Sequence, residues 1–166
     1  MFFVAATERL PKDAVVKLAK STTFWINKSW LQGNFNDPTF VETACFHGDQ
    51  EWLKDNFHST AKLFGIEFYS TDEYLGDHHL WGPGGVILHE LSHAWYCQYV
   101  KYGFNNKEIM KCYKSAMKEK LYECVEYHTL AGGKDETRAY ACTNTEEYFA
   151  ELSVAFLSDG CNFNAT

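Results

Sequence analysis

Two histidines and a glutamate in the second half of the chain have the spacing of a metal site. His89-Glu90-Leu91-Ser92-His93 forms an HExxH pattern within a stretch of helical periodicity. Histidines at i and i+4 lie one turn apart on the same helix face, so both imidazoles can reach one cation. Glu90 projects beside that face, where its carboxylate can accept a proton from a water activated by the metal. Because HExxH fixes only three positions, an ordinary helix with two surface or core histidines is the alternative.

A hydrolytic zinc site needs a third protein ligand and leaves the fourth position to water. Cys97 continues the histidine face, but it lies eight residues beyond His89, which is about 12 Å along a helix. One ion cannot bridge that span, so we expect Cys97 in the core or in a disulfide. The adjacent His78 and His79 are typical of an exposed loop.

Acidic residues of the last predicted helix are better candidates for the third ligand. Glu147 and Glu151 share a helix face at i and i+4. One of them can ligate zinc while the other accepts a hydrogen bond from the outer N–H of a ligating histidine. Acidic residues, Glu146 included, are also common in a first helical turn, where the helix dipole favours negative charge. Opposite an HExxH helix, we expect the metal role for Glu147.

Periodicity and turn residues predict the elements that must position this site. Helices are predicted over 12–20, 49–57, 86–100, 106–118 and 145–157, strands over 22–30, 40–47 and 66–69, and a loop over 33–38. Extended segments are predicted over 121–128 and 138–142, on either side of a Gly132-Gly133 turn. Asp49 and Asn144 are predicted helix caps. The chain is therefore expected to belong to the α+β class, with its helices concentrated in the second half.

Composition limits the class of protein. The 166 residues suit one domain with its own core, and the apolar fraction of 46% excludes a disordered chain. The net charge of −7, without a basic cluster, argues against a nucleic-acid partner. No apolar run approaches the roughly 18 residues that span a bilayer, so membrane insertion is not expected. We expect a single domain over 1–166, with a sheet within about 1–80 and the metal-site helices within 81–160.

Six cysteines permit up to three disulfides: Cys45, Cys97, Cys112, Cys124, Cys142 and Cys161. Together with the richness in tyrosine and tryptophan, they favour a secreted protein. Two glycosylation sequons, at 27–29 and 164–166, add little, because sequons are common by chance. The apolar run at the N-terminus is too short for a signal peptide. An intracellular protein with reduced thiols is the alternative.

Two segments of the chain resemble motifs in the catalytic domain of the anthrax lethal factor family. They are HELSH, at 89–93, and RAYACTNTEEYFAE, at 138–151. The pattern Tyr-x-x-Thr-Asn-x-x-Glu-[Phe/Tyr]-Phe-Ala-Glu also occurs in the bacterial Pro-Pro endopeptidases and in secreted zincin-like proteins of fungi and bacteria. This pattern is far more specific than HExxH. Residues 103–106 also resemble the secreted group. The resemblance covers about residues 40–157 and is strongest over 86–157.

The resemblance implies a compact zincin-like metallopeptidase domain with a small mixed sheet, an HExxH helix and a C-terminal ligand helix. The implied roles are zinc ligands for His89, His93 and Glu147, general base for Glu90, oxyanion donor for Tyr140, and a carboxylate behind the ligands for Glu151. The expected function is a zinc-dependent endopeptidase of the glutamate-zincin type, acting on a peptide or protein substrate. A catalytically silent zincin-fold module that holds zinc and captures a protein partner is the alternative. A third possibility is a secreted domain stabilised by disulfides, in which HExxH occurs by chance.

Cys142 departs from the pattern, which places no cysteine between its tyrosine and threonine. A disulfide between Cys142 and Cys124 would fix the loop that carries Tyr140, and we state it as a hypothesis. The aromatic residues Trp81, Trp95, Tyr96 and Tyr99 can line a cleft or fill the core, and we expect the core.

Overall fold

A small sheet and the helices packed around it position the candidate site. The computed structural model describes residues 2–28, 31–34, 37–40, 44–71, 84–128 and 132–158. Within these ranges the chain is a compact mixed α+β protein. Several predicted features lie outside the described residues: His78, His79, Trp81, Cys161 and the sequon at 164–166.

Six α-helices lie in the described ranges: α1 Phe2–Thr7, α2 Lys12–Ser21, α3 Gln50–Asp55, α4 Gly85–Tyr99, α5 Lys107–Glu119 and α6 Thr145–Leu157. The strands there are β1 Phe24–Ile26, β2 Leu31–Asn34, β3 Asp37–Phe40, β4 Ala44–Phe46, β5 Ile66–Phe68, β6 Val125–His128 and β7 Lys134–Thr137. Short 3-10 turns occupy Thr60–Lys62, Gly103–Asn105 and Tyr140–Cys142. No helix in these ranges has the length and apolar character needed to cross a bilayer.

The main sheet is mixed, with strand order β1-β5-β4. The central strand β5 runs parallel to β1, with Phe24 opposite Ile66, and antiparallel to β4, with Cys45 opposite Glu67. Strands β2 and β3 form one separate hairpin, and β6 and β7 form another. Because only one side of β4 is paired in the described part of the chain, its other side is a sheet edge.

Helix α4 lies at the centre of the fold. It packs most extensively against α6 and also contacts β4, α1 and α2. Leu88, Leu91 and Ala94 are buried in the main core together with Ile66 of β5 and Val154 of α6. The structure buries this helix on nearly all sides. The polar HExxH residues are therefore enclosed as well, which requires partners for them.

Side-chain caps begin three of the helices. Asp49 accepts a hydrogen bond from the backbone N–H of Glu51 at 2.8 Å. Asn106 caps α5 in the same way, and Asn144 accepts from the N–H of Glu147 at 2.7 Å. These bonds satisfy donors that a helix start leaves unpaired. The predicted caps at Asp49 and Asn144 are confirmed.

One segment predicted as a loop and one predicted as extended have a different conformation in the structure. Residues 33–38, predicted as a loop, contribute to strands β2 and β3 of a hairpin, with residues 35–36 outside the described ranges. Residues 138–142, predicted as extended, contain a 3-10 turn, and the partner of β6 is instead β7. The turn is favoured because Ala139, Ala141 and Cys142 pack into a small apolar cluster beside α5 and α6.

The Cys124–Cys142 disulfide is not formed. Both are free thiols, as are the other three cysteines in the described ranges. The thiol of Cys124 lies 3.2 Å from a carboxylate oxygen of Glu136, while that of Cys142 donates to the backbone carbonyl of Tyr122 at 3.4 Å. The loop is held instead by hydrogen bonds, including one of 3.0 Å from the Tyr113 hydroxyl to the Cys142 carbonyl.

Candidate metal centre

Helices α4 and α6 bring the three predicted ligands together. The Nε2 atoms of His89 and His93 lie 3.0 Å apart. Oε2 of Glu147 lies 3.0 Å from Nε2 of His89 and 3.3 Å from Nε2 of His93. The three donor atoms thus form a nearly equilateral triangle at a contact between two helices that are distant in the chain.

This triangle fits the donor geometry of a single metal ion. Metal–donor bonds of about 2.0–2.2 Å at tetrahedral angles place neighbouring donors about 3.3–3.6 Å apart. The separations of 3.0 to 3.3 Å lie at or slightly below the lower end of that range. Both histidines are buried, and two imidazoles with one carboxylate suit a borderline cation. His89, His93 and Glu147 could therefore hold a metal ion.

Local backbone chemistry sets the register of both ligand helices. Helix α4 begins after Gly84, whose φ of 81° lies in the left-handed region that favours glycine. In α6, the Asn144 cap binds the backbone N–H of Glu147 and thereby fixes the first turn. Because His93 follows His89 by one turn, the two helix starts together determine where the three donors meet.

Glu151 stands behind the ligands, at the other nitrogen of His89. Its Oε1 atom lies 2.8 Å from Nδ1 of His89, and the residue is only 1% exposed. A carboxylate at this position favours the tautomer with hydrogen on Nδ1 and leaves Nε2 free to ligate. Glu151 therefore orients His89 toward Glu147.

The electrostatics of the centre favour a bound cation. Burial opposes ionisation of Glu147, but its hydrogen bonds with His89 and His93 outweigh that effect and lower the pKa of Glu147. Burial likewise opposes the charged form of His89, but the neighbouring carboxylates of Glu147 and Glu151 outweigh it and raise the pKa of His89. Burial raises the pKa of Glu151 itself. A site with this much negative charge around its donors attracts positive charge.

The donors open into a cleft of about 370 Å³ that also contains Glu90 and Tyr140. Glu90 is buried beside the two histidines, at the position that HExxH predicts for a base. The Tyr140 ring centroid lies 6.3 Å from that of His89, and the residue is exposed at the cleft mouth. Partial burial of its phenol and the nearby charge of Glu147 raise the pKa of Tyr140 to about 12. The phenol is therefore a hydrogen-bond donor at neutral pH.

The remaining wall of the cleft comes from the main sheet and its surroundings. Ala44, Cys45 and Phe46 of β4 line it together with Phe104. Burial and the negative charge of Glu90 raise the pKa of Cys45 to about 12, so this thiol stays protonated. The edge strand β4 thus runs along the site, which HExxH spacing alone does not predict.

A second histidine–glutamate cluster was not found by sequence reasoning. Nε2 of His47 lies 2.8 Å from Oε2 of Glu67, and Nδ1 of His58 lies 3.9 Å from the same oxygen. The donor atoms are close enough to hold a metal ion. However, the ammonium of Lys62 lies 2.5 Å from Oε1 of Glu67 and 3.3 Å from Nδ1 of His58. The lysine already supplies a positive charge there, and no sequence spacing links these four residues.

Three of the four aromatic residues that were expected in the core lie within the described residues, and all three pack in the core or at its edge. Tyr96 is fully buried, and Trp95 and Tyr99 pack at the edge of the core. Cys97, which the helix geometry excluded as a ligand, does not line the metal cleft.

The six residues predicted for the site are brought to one place. His89, His93 and Glu147 form the donor triangle, Glu90 and Tyr140 line the cleft above it, and Glu151 supports it from behind. The arrangement joins a cation site, a base and a hydrogen-bond donor within one cleft. Comparisons of this chain with protein-family models, with curated proteins and with solved structures find no match.

Proposed function

We propose that this protein is a zinc-dependent endopeptidase of the zincin type. The observation that carries the proposal is the convergence of His89 Nε2, His93 Nε2 and Glu147 Oε2, with Glu90 beside them in one open cleft. Three protein donors facing an open space are typical of catalytic rather than structural zinc sites.

Zinc is the metal that this donor set suits best. Two neutral imidazoles and one carboxylate are a common ligand combination in zinc hydrolases. Bound there, zinc would act as a Lewis acid and lower the pKa of a coordinated water to about 7. Glu151 supports this assignment, because ligating histidines generally donate their outer N–H to an oxygen acceptor.

Two residues of the chain have the chemistry to assist hydrolysis. Glu90 is placed to accept a proton from the attacking water and to deliver it to the leaving amine. Tyr140 lies at the cleft mouth with a protonated phenol, which can donate a hydrogen bond to the oxyanion that develops on the substrate carbonyl. A donor aimed at charge that appears only in the transition state lowers the barrier selectively.

The shape of the cleft supports a peptide substrate. Strand β4 lines it, and one side of that strand is unpaired among the described strands. An extended peptide can add to such an edge through backbone hydrogen bonds, with its scissile carbonyl beside the metal centre. This geometry favours an endopeptidase over a hydrolase of small amides.

The resemblance to the lethal factor family agrees with these roles. Its distinctive pattern spans Tyr140 to Glu151, and four of its polar members lie at the site or at the start of the ligand helix. Tyr140 lies near His89, Asn144 caps the ligand helix, and Glu147 and Glu151 lie on the two sides of the His89 ring. The catalytic role of this constellation belongs to the proposal.

A Glu90→Gln variant tests the proposal directly. Zinc-loaded wild-type protein and the variant are incubated with a diverse peptide library, and products are identified by mass spectrometry. We expect internal cleavage by the wild type, loss on chelation, recovery with zinc, and no cleavage by a variant that retains its zinc. Activity retained by Glu90→Gln would reject the mechanism. No cleavage by zinc-loaded wild type would favour the catalytically silent module.

A further inference from the structure

A second cleft adjoins the metal centre. It has a volume of about 550 Å³ and shares Cys45, Phe46 and Phe104 with the metal cleft. Beyond these shared residues it extends past the end of β4 to the start of α3 and the loop before β5. The two clefts therefore adjoin each other at these three residues, two of which belong to the edge strand β4.

The chemistry of the two halves differs. The metal half carries the histidines and carboxylates, whereas the walls of the second half include the aromatic rings of Phe46, Trp52, Phe64 and Phe104. Trp52 is 39% exposed and Phe64 is 36% exposed. Large apolar side chains grouped around a concave surface are typical of a binding site.

The aromatic walls are held in place before any ligand arrives. The Trp52 ring stacks on His58 with centroids 5.4 Å apart and on His47 at 5.9 Å. His47 is in turn bonded to the buried Glu67. On the other side, Phe104 packs edge-to-face against the buried Tyr96 at 5.2 Å. A preformed pocket loses little conformational entropy on binding, which raises its affinity.

We propose that this second cleft is a specificity subsite that takes a large aromatic side chain of the substrate. The inference rests on the proposed peptidase function and defines the substrate class of the same site. Its occupant is a peptide, because the cleft adjoins the metal cleft at Cys45 and Phe46 of β4, the edge to which an extended chain can add.

The direction of β4 indicates on which side of the scissile bond the aromatic residue of the substrate lies. Both clefts include Cys45 and Phe46, but only the metal cleft reaches Ala44, at the start of β4, and only the second cleft extends past Phe46, at its end. An antiparallel added strand, the more stable pairing, runs with its amino-terminal part toward the end of β4. A cleft of this volume is roughly 8 Å across, or two to three residues at ~3.3 Å each. The aromatic residue therefore lies within about three residues on the amino-terminal side of the scissile bond.

Cleavage products from the peptide library test the position and the class of side chain. We expect phenylalanine, tyrosine or tryptophan to be enriched at one position amino-terminal to the cut. A matched peptide with alanine there should have a kcat/KM lower by about 10- to 100-fold, the effect of losing a buried aromatic side chain. Cleavage without any such preference, or with it only on the carboxyl-terminal side, would overturn the assignment.

Three alanine variants locate the preference in the structure. Trp52→Ala and Phe64→Ala should each reduce the aromatic-to-alanine ratio of kcat/KM by about three- to tenfold, without loss of zinc. Phe57→Ala is the matched control, since Phe57 is a 69% exposed aromatic residue next to α3 that lines neither cleft. An unchanged ratio in both cleft variants, or an equal reduction in Phe57→Ala, would contradict the proposal.

A binding measurement separates failure of the subsite from failure of the peptidase. Calorimetric titration of the aromatic and alanine peptides into zinc-loaded Glu90→Gln protein requires no turnover. Preferential binding of the aromatic peptide that weakens in Phe64→Ala would support the subsite even where wild type cleaves nothing. Equal affinity for both peptides, or no binding of either, would overturn it whether or not wild-type protein cleaves other peptides.

Discussion

Nδ1 of His89 and Oε1 of Glu151 lie 2.8 Å apart, on the side of the imidazole opposite to the donor triangle. Both residues are buried, so this contact is shielded from water. Glu147 meets the other nitrogen of the same ring at 3.0 Å. Two carboxylates one turn apart on α6 thus hold a single imidazole from both sides, one beside the metal position and one behind it.

The Glu151→Gln substitution should weaken zinc binding by about 10- to 100-fold, because it removes the charged acceptor that orients His89. Chelator-competition titration measures the affinity. The neighbouring variant Glu146→Gln is the control, since Glu146 lies on the same helix outside the donor triangle. Equal affinity of wild type and Glu151→Gln would show that the contact behind His89 has no role in metal binding.

We predict one zinc ion per chain, bound at the centre between α4 and α6. His89→Ala should abolish binding, whereas His58→Ala should leave the stoichiometry unchanged. The reason is that the Lys62 ammonium already neutralises Glu67 in the second cluster. Native mass spectrometry counts the bound ions. A second zinc lost in His58→Ala would contradict this assignment.

Tyr140→Phe should lower kcat by about 100- to 1,000-fold, the usual effect of removing one oxyanion donor. KM and zinc affinity should change little, because the phenol is not among the metal donors and acts chiefly in the transition state. Steady-state kinetics on a library-derived peptide separates kcat from KM. A variant that instead loses zinc, or keeps its full kcat, would exclude this role for Tyr140.

Glu67 should make the protein sensitive to acid. Burial opposes its ionisation, but hydrogen bonds from His47 and Lys62 and the charge of Lys62 outweigh that and lower the pKa of Glu67 to about 2. Because the folded-state pKa lies below the unfolded value of 4.5, the ionised group stabilises the fold fully above about pH 5. That contribution, about 3 kcal/mol, is lost as the pH falls toward 2.

Denaturant unfolding of zinc-free protein across pH 2 to 7 measures this contribution. The difference in unfolding free energy between wild type and Glu67→Gln should shrink as the pH falls from about 5 to about 2. A difference that stays constant across this range would show that Glu67 does not titrate with the depressed pKa.

The local sequence determined the parts of the site that depend on neighbouring residues. HExxH places His89 and His93 one turn apart on any helix that forms there, and Asn144 fixes the register of Glu147 through a cap. Helical periodicity predicted α4, α5 and α6 to within about a residue at each end. Such interactions span at most one or two helical turns, so the sequence contains them directly.

Contacts between distant segments were decided only by tertiary structure. The 3.0 Å approach of Glu147 to His89 depends on the packing of α6 against α4, and the pairing of His47 with Glu67 depends on the register of β4 with β5. Local preference for an extended chain at 138–142 was overridden by apolar packing. The second cleft likewise brings together β4, α3, the loop before β5 and the turn that contains Phe104, which share no periodicity in the sequence. Burial and long-range packing set these contacts, and no local spacing encodes them.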